Sequence, residues 1–499
     1  MAGMLTDREL SELTPSELCP HRTPIPTQAV SSDEYYPPPQ NDDQRAVEAR
    51  MLAMADELGR HQGLSRRRFF QTASGMAAAY LAMNQVYGPL FEVSRAEAAT
   101  PEQANARADA LKDQFIMDMH THFLRDDTRL TGFVAMRTAV GRQGWNKALA
   151  EKEQTIADLK FENYKKEMFL DSDTKVALIS SAPSEIPQDW FLTNAQMAAA
   201  RERVNSEAGS RRLFAHAIFT PGRPGWLDEL DAALALKPES AKGYTVGDNT
   251  HKDLSIYPWR MDDEKTTYRG YERMLKAGIR NVCVHKGLFS HATARQFPKL
   301  ERYADVSDVA RAARDWPQLN FIIYHAAFRN ENPAASLAEF EKTGRLEWVT
   351  DLAEIPGKHG VTNVYGDLGQ IFASTLVAQP RVCAAIMGTL IRGLGHERVV
   401  WGTDALWTGS PQWQIEGLRR LEIPQDMQKA HGFAPLGSAT GPVKAAIFGD
   451  NNARLYNVDK AKLGAAIRQD RYSARKRAYE KAGADPSNLR YGYVNRQAG

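Results

Sequence analysis

"FIMDMHTHFLRDD", residues 115–127, sets the reading of the chain. An apolar run ends in Asp118, and His120 and His122 then alternate with Met119 and Thr121. On a β-strand, residues two apart share a face, so both imidazoles can aim at one point. Neutral imidazole is the commonest protein ligand for metals, and two on one face make half of a mononuclear site. Taken alone, the pair also reads as two surface histidines at a strand end, so the sequence on either side has to decide.

Working outward, seven runs resemble the first in length and texture: "TKVALISS" (174–181), "RLFAHAIF" (212–219), "SAKGYTV" (240–246), "RNVCVH" (280–285), "LNFIIYH" (319–325), "TNVYGDL" (362–368) and "RVVWGTD" (398–404). With "FIMDM" (115–119) they make eight. Each is short, apolar and free of Pro, as expected of parallel strands buried on both faces. Between them, "WLDELDAALAL", "YRGYERMLKAG" and "VSDVARAARDW" carry the 3.6-residue apolar period of helices. Strand–helix alternation of this kind builds a parallel sheet, and eight units predict an α/β fold of the (β/α)8 TIM-barrel type rather than a doubly wound sheet. No G-x-G-x-x-G follows a strand, so nothing points to a dinucleotide fold.

Barrel enzymes place their sites at the C-terminal ends of the strands. At those ends stand His120 and His122 (first), Lys242 (fourth), His285 followed by Lys286 and Gly287 (fifth), His325 (sixth) and Asp404 (eighth). The chain has 12 histidines, and four of them with an aspartate on converging strand ends predict a divalent-metal site. Bulk properties exclude other classes. Of 499 residues, 43% are hydrophobic and 25% charged, with a net charge of +2, so no basic field exists for nucleic acid. Cys19, Cys283 and Cys383 are too few and too scattered for a disulfide framework or a cysteine-based zinc site. No window holds the roughly 20 uninterrupted apolar residues of a membrane span. The expected partner is a small-molecule substrate, with a homo-oligomer compatible with the sequence.

The first hundred residues read differently. Residues 20–43, rich in Pro, Ser and acidic residues, are expected to be extended or disordered, and 44–62 to form a charged helix. "SRRRFFQTASGMAAAYLAMNQVYG" (65–88) resembles a twin-arginine export signal, and "AEAA" (96–99) offers an A-x-A cleavage site after Ala98. About sixty residues precede the arginine pair, unlike an ordinary signal of this kind; an uncleaved amphipathic helix with an Arg-rich start is the alternative. The expected organisation is therefore a leader (1–98, its signal at 65–98), a barrel (99–460) and a C-terminal helix and tail (461–499). A functional leader implies the twin-arginine machinery and a periplasmic or exported location; otherwise the chain is cytoplasmic. A charged insert at about 125–172 is expected to lay helices over the barrel mouth.

With these residues in place the body, about 110–460, resembles the amidohydrolase superfamily. The branch it is most similar to contains aminocarboxymuconate semialdehyde decarboxylase and related aromatic-acid decarboxylases and hydrolases. The likeness rests on the strand-end pattern together with "CVHKG" (283–287), "WPQLNFIIYHAAF" (316–328), "VVWGTDAL" (399–406) and "AAIFGDNNARLYNV" (445–458). The leader resembles those of exported bacterial members. The resemblance implies that His120, His122, His285 and Asp404 bind one divalent metal, zinc first, with Mn, Fe or Co as alternatives. It makes His325 a general acid/base or water-orienting group beside the metal and lets Asp404 either ligate or accept a proton from the metal-bound water. In some superfamily members a carbamylated lysine after the fourth strand bridges two metals; in this branch the metal is usually single, so Lys242 is expected to bind an anionic substrate group or to be structural.

Lys286 is a candidate substrate contact, and Arg329 a candidate anchor for a substrate carboxylate. Trp401, Trp407 and Trp413 flank Asp404, and any of them could wall the pocket, Trp407 foremost; ordinary packing is the alternative. His216, inside the third strand, is expected to be a packed core residue. His251 and His291 lie on loops. Cys283 shares a strand face with His285 but reads as a small hydrophobe.

The first expected function is hydrolysis of an amide, ester or lactone through metal-activated water. The second is non-oxidative decarboxylation of a carboxylated, aromatic substrate with the same ligands, which fold and motif cannot separate. A non-catalytic metal-binding protein is the third, and filled ligand positions speak against it.

Overall fold

A computed structural model of the chain describes residues 23–27, 40–142 and 155–484. Most of the stretch expected to be extended (20–43), Cys19, the middle of the charged insert (143–154) and the last fifteen residues of the tail (485–499) lie outside the described residues.

Eight strands follow in chain order: β1 Met117–Thr121, β2 Val176–Ile179, β3 Leu213–Phe219, β4 Ser240–Tyr244, β5 Asn281–His285, β6 Asn320–Tyr324, β7 Val364–Asp367 and β8 Val399–Val400. Each pairs in parallel with the next. Beyond β8 the backbone turns to β1. Met119 N–H donates to Trp401 O at 3.1 Å, Asp404 N–H to His120 O at 2.8 Å, and His122 N–H to Ala405 O at 2.6 Å. The sheet thus closes into the expected barrel, and its closing seam carries His120, His122 and Asp404. The eighth run was expected to reach 404 but is a regular strand only at Val399–Val400. Its later residues bond to β1, and Asp404 leaves the extended conformation at φ 61°.

Strand residues are almost all buried on both faces, which is why the runs read as continuous rather than alternating. Helices cover the outside. Mouthward, the insert supplies helices Thr131–Arg142 and Phe161–Phe169, which put Phe133 and Tyr164 into an apolar cluster with Phe191 and Trp407. At the opposite end, helices Lys460–Gln469 and Arg471–Lys481 are docked rather than loose: Asp470 caps the second and pairs with Arg212 at 2.7 Å, and Tyr472 is fully buried.

Residues 65–98 are folded onto the barrel. Arg66 forms an ion pair with Asp56 of the charged helix, which spans Asp42–His61. Phe69, Ala77, Ala78, Ala79 and Tyr80 are fully buried in the same apolar core as the barrel strands. The Tyr80 hydroxyl donates to Trp413 O at 2.6 Å, Phe91 bridges Leu421 antiparallel, and Arg420 pairs with Glu97 at 2.6 Å. Among the described residues no helix is long and apolar enough to cross a membrane.

Candidate metal centre

β1 delivers His120 and His122 to one face, as the two-residue period requires. Their Nε2 atoms each lie 3.2 Å from Oδ1 of Asp404. The other ring nitrogen is engaged in both. His122 Nδ1 lies 3.1 Å from the carbonyl of Ser180, an acceptor only, so a cation held at Nε2 would leave the ring hydrogen on Nδ1, donating to that carbonyl. His120 Nδ1 lies 2.8 Å from Oδ2 of Asp367, at the end of β7. Among the described residues, His120, His122 and Asp404 form the group whose ligand atoms lie within 4.8 Å of one another and could hold a metal ion; all three are buried.

His285 and His325 extend this cluster. The His325 ring centroid is 4.9 Å from that of His120 and 4.7 Å from that of His285, which stacks on Tyr244 at 4.8 Å. His285 therefore stands on the same floor but outside the tight three-residue group. Nδ1 of His325 is buried and has no hydrogen-bond partner among the described residues. His325 and Asp404 both adopt left-handed backbone conformations (φ 59° and 61°), as do Ala326 and Ala327. Such conformations cost non-glycine residues of order 1–3 kcal/mol and cluster where a side chain must be aimed.

Burial, reinforced by the charge of Lys242 and by neighbouring imidazoles, holds His120 well below the usual histidine range. Burial first, then His285 and Lys242, does the same to His325. Burial lifts Asp367 well above the usual carboxylate range, and lifts Asp118 to about 7 against its bonds from Thr403 and the His120 amide. Two Nε2 atoms converging on one buried carboxylate oxygen, with a second buried carboxyl group behind the His120 ring, are a donor set a divalent cation fits.

Lys242 lies in the barrel floor, fully buried, its Nζ 3.6 Å from the Tyr324 ring centroid and 4.7 Å from that of Tyr244. Trp407 stands at the mouth, 5.5 Å from the His122 ring, and packs on Phe133 of the insert and on Phe191, which follows β2. Trp401 and Trp413 are instead core residues, Trp401 against Phe372 and Phe448. Arg329 is committed elsewhere: its guanidinium pairs with Glu301 and Glu347, each at 2.9 Å, and stacks on Trp348. Lys286 points away from His285 and is held by Asp308 and the Tyr303 carbonyl. His216 is packed in the barrel interior between Ser240 and Tyr324. His251 meets Asp189, and His291 is exposed beside Glu331. Cys283 is buried, its thiol pushed up to about 12 by burial. Asp367 is the residue that sequence reasoning missed.

Residues 117–458 match the sequence pattern of the amidohydrolase family. No curated protein matches the chain. Similar solved structures include 5-carboxyvanillate decarboxylase from Sphingomonas paucimobilis, at 14% identity over 69% of this chain and 99% of that one, with a TM-score of 0.40. Another is 2,6-dihydroxybenzoate decarboxylase from Rhizobium, at 12% identity over 69% and 99%, with a TM-score of 0.39. A third is a dihydroxybenzoic acid decarboxylase from Polaromonas sp. JS666 with bound manganese, at 12% identity over 70% and 99%, with a TM-score of 0.40.

Proposed function

The chain belongs to the amidohydrolase family, and from that premise we propose that it is a metal-dependent hydrolase of a small molecule bearing an amide, ester or lactone. The observation that carries this reading is the pair of Nε2 atoms 3.2 Å from Asp404 Oδ1, beside a buried His325 whose Nδ1 has no partner among the described residues. A divalent ion bound there, zinc or else Mn, Fe or Co on this nitrogen–oxygen donor set, supplies a Lewis acid for the scissile carbonyl and for water. His120, His122 and Asp404 would hold it, with His285 as the further ligand. His325 takes a proton from the attacking water at a ring nitrogen and returns it to the leaving group. The second oxygen of Asp404 accepts a hydrogen bond from that water and orients it. Trp407, Phe133 and Phe191 exclude solvent and offer an apolar wall. Lys242 adds positive charge from below.

The aromatic wall favours a second reading, decarboxylation of an aromatic carboxylate by the same residues. The engagement of Arg329 by two glutamates removes the arginine expected to anchor a carboxylate, and this keeps hydrolysis first. For location, the arginine pair supports twin-arginine export, a route that carries folded chains and so allows metal loading beforehand.

The test is metal content of protein purified without added metal, for the wild type and for His120→Ala and His285→Ala, followed by turnover of aryl esters, amides, lactones and aryl carboxylates in 18O-labelled water. One equivalent of metal, lost in the variants, with 18O in the product, is expected. Absence of metal overturns the reading. Release of CO2 with solvent hydrogen at the vacated carbon replaces it with the decarboxylase.

A further inference from the structure

We propose that Asp367 is a positioning residue for the metal centre: it fixes the His120 ring with Nδ1 donating, so that Nε2 is presented to the cation. The proposal rests on the metal reading given above and adds a residue to it. Asp367 is fully buried at the end of β7, and its Oδ2 meets His120 Nδ1 at 2.8 Å. Across the same ring, Nε2 faces Asp404 at 3.2 Å. The ring also packs against Tyr324, with centroids 3.8 Å apart and planes tilted by 34°.

Space for the carboxylate is made by two glycines on neighbouring strand ends. A Cβ on Gly402 would lie 2.1 Å from Asp367 Oδ1 and 2.5 Å from His120 Cβ. A Cβ on Gly369, at φ +46°, would lie 3.0 Å from both Asp367 Oδ2 and His120 Nδ1. The remaining oxygen, Oδ1, has no hydrogen-bond partner among the described residues. The two histidines are therefore supported unequally: His122 by a neutral carbonyl, His120 by an acid. A carboxylate behind an imidazole fixes its tautomer and raises the basicity of the far nitrogen, and loss of such a partner typically lowers metal affinity 10–100-fold.

The test uses the full chain, stripped with a chelator, as wild type, Asp367→Asn and Asp367→Ala. Zn2+ affinity is read by competition with a chromogenic chelator, and Co2+ by its visible absorption spectrum. Affinity roughly 10–100-fold weaker in Asp367→Ala is expected, smaller in Asp367→Asn, with an altered Co2+ spectrum and an unchanged apo melting temperature. Wild-type affinity and spectrum in both variants overturn the assignment while leaving the metal reading intact. A wild type that binds neither ion overturns both. Should the variants fold poorly, 15N spectra of histidine-labelled wild type decide, with His120 identified by loss of its signals in His120→Gln: the Nδ1–H tautomer supports the role, and the Nε2–H tautomer overturns it.

Discussion

Replacing Lys286 with Met separates a structural lysine from a substrate contact. Lys286 is fully buried beside His285, close enough to the site to be taken for a ligand of the substrate. Its ammonium already has three acceptors: Asp308 Oδ1 at 2.8 Å, Asp308 Oδ2 at 3.0 Å and Tyr303 O at 2.9 Å. Asp308 is fully buried too, and also accepts from the Met261 amide at 2.9 Å. Met fills the aliphatic volume but leaves a buried carboxylate without its cation, a change that costs about 3–5 kcal/mol. At ~2.1 cal/mol/K per residue, unfolding 499 residues carries an entropy of about 1 kcal/mol/K, so the melting temperature falls by about 3–5 °C. The companion change Asp308→Leu in the same chain removes the stranded charge and recovers most of that loss. Thermal unfolding of the single and double variants measures the coupling, and KM of the folded protein is expected to stay at the wild-type value. An unchanged melting temperature with a raised KM would refute this account and return Lys286 to the substrate.

Three further outcomes follow from the site and the core. On the proposed proton-transfer role, His325→Ala is expected to keep its metal but lose roughly 10²–10⁴-fold in kcat; full activity would remove that role. Trp407→Ala raises KM for an aromatic substrate by about tenfold, or ~1.4 kcal/mol, and for a small aliphatic one much less; equal effects on both would show that the ring only supports the fold. Cleaving the chain after Ala98 strips Tyr80, Met83, Leu90 and Phe91 from the helix Gln412–Arg420 and its neighbours, each fully buried apolar side chain worth about 1.5–3 kcal/mol. The cut protein is expected to melt well below the intact one or to aggregate, and an unchanged melting curve would contradict the packing.

The barrel was legible because parallel strands covered on both faces leave continuous apolar runs, and all eight expected runs contain a strand. The convergence of His120, His122, His285, His325 and Asp404 at one end of the barrel was legible because a polar residue closing such a run has few reasons to be there. Asp367 closes β7 in the same way, yet went unread. Its partner His120 lies 247 residues away, and nothing in local spacing tells an aspartate that meets an imidazole from one that meets water. The signals present were the glycines that make its space, Gly369 and Gly402, and their meaning needs the closed seam between β8 and β1. Lys286 could have been read better. Consecutive strand residues face opposite sides, so a lysine directly after an inward His285 points out of the barrel. The direction of Arg329 could not be read, since it follows three left-handed residues that reset the chain after β6.

The segment 65–98 shows why one composition supports two readings. An export signal needs a mild, Ala- and Gly-rich apolar run after its arginines. Close packing of one helix on another needs the same small residues. Gly75 admits the Phe69–Phe70 backbone, where a Cβ would come within 2.2 Å of Phe69 O, and on the opposing helix a Cβ at Gly417 would lie 2.3 Å from Leu376 and 3.1 Å from the Tyr80 hydroxyl. What the sequence of the segment lacks is its counterpart. The facing surface of Trp413, Gly417 and Leu421 lies more than 300 residues further on, and the pairing of Tyr80 with Trp413 and of Glu97 with Arg420 becomes visible only when both are folded. The two roles differ in what they need from Glu97 and Ala98. A cleavage site must be reached by a protease in extended form, whereas these residues are buried inside the short helix Arg95–Ala99, with Glu97 bound to Arg420. Cutting there therefore requires this part of the core to open first, and the rate of cleavage by an added signal peptidase should rise with Arg420→Ala, which removes the cation that holds Glu97 down. Cleavage of wild type and variant at the same rate would mean that the segment is not held in place by this packing.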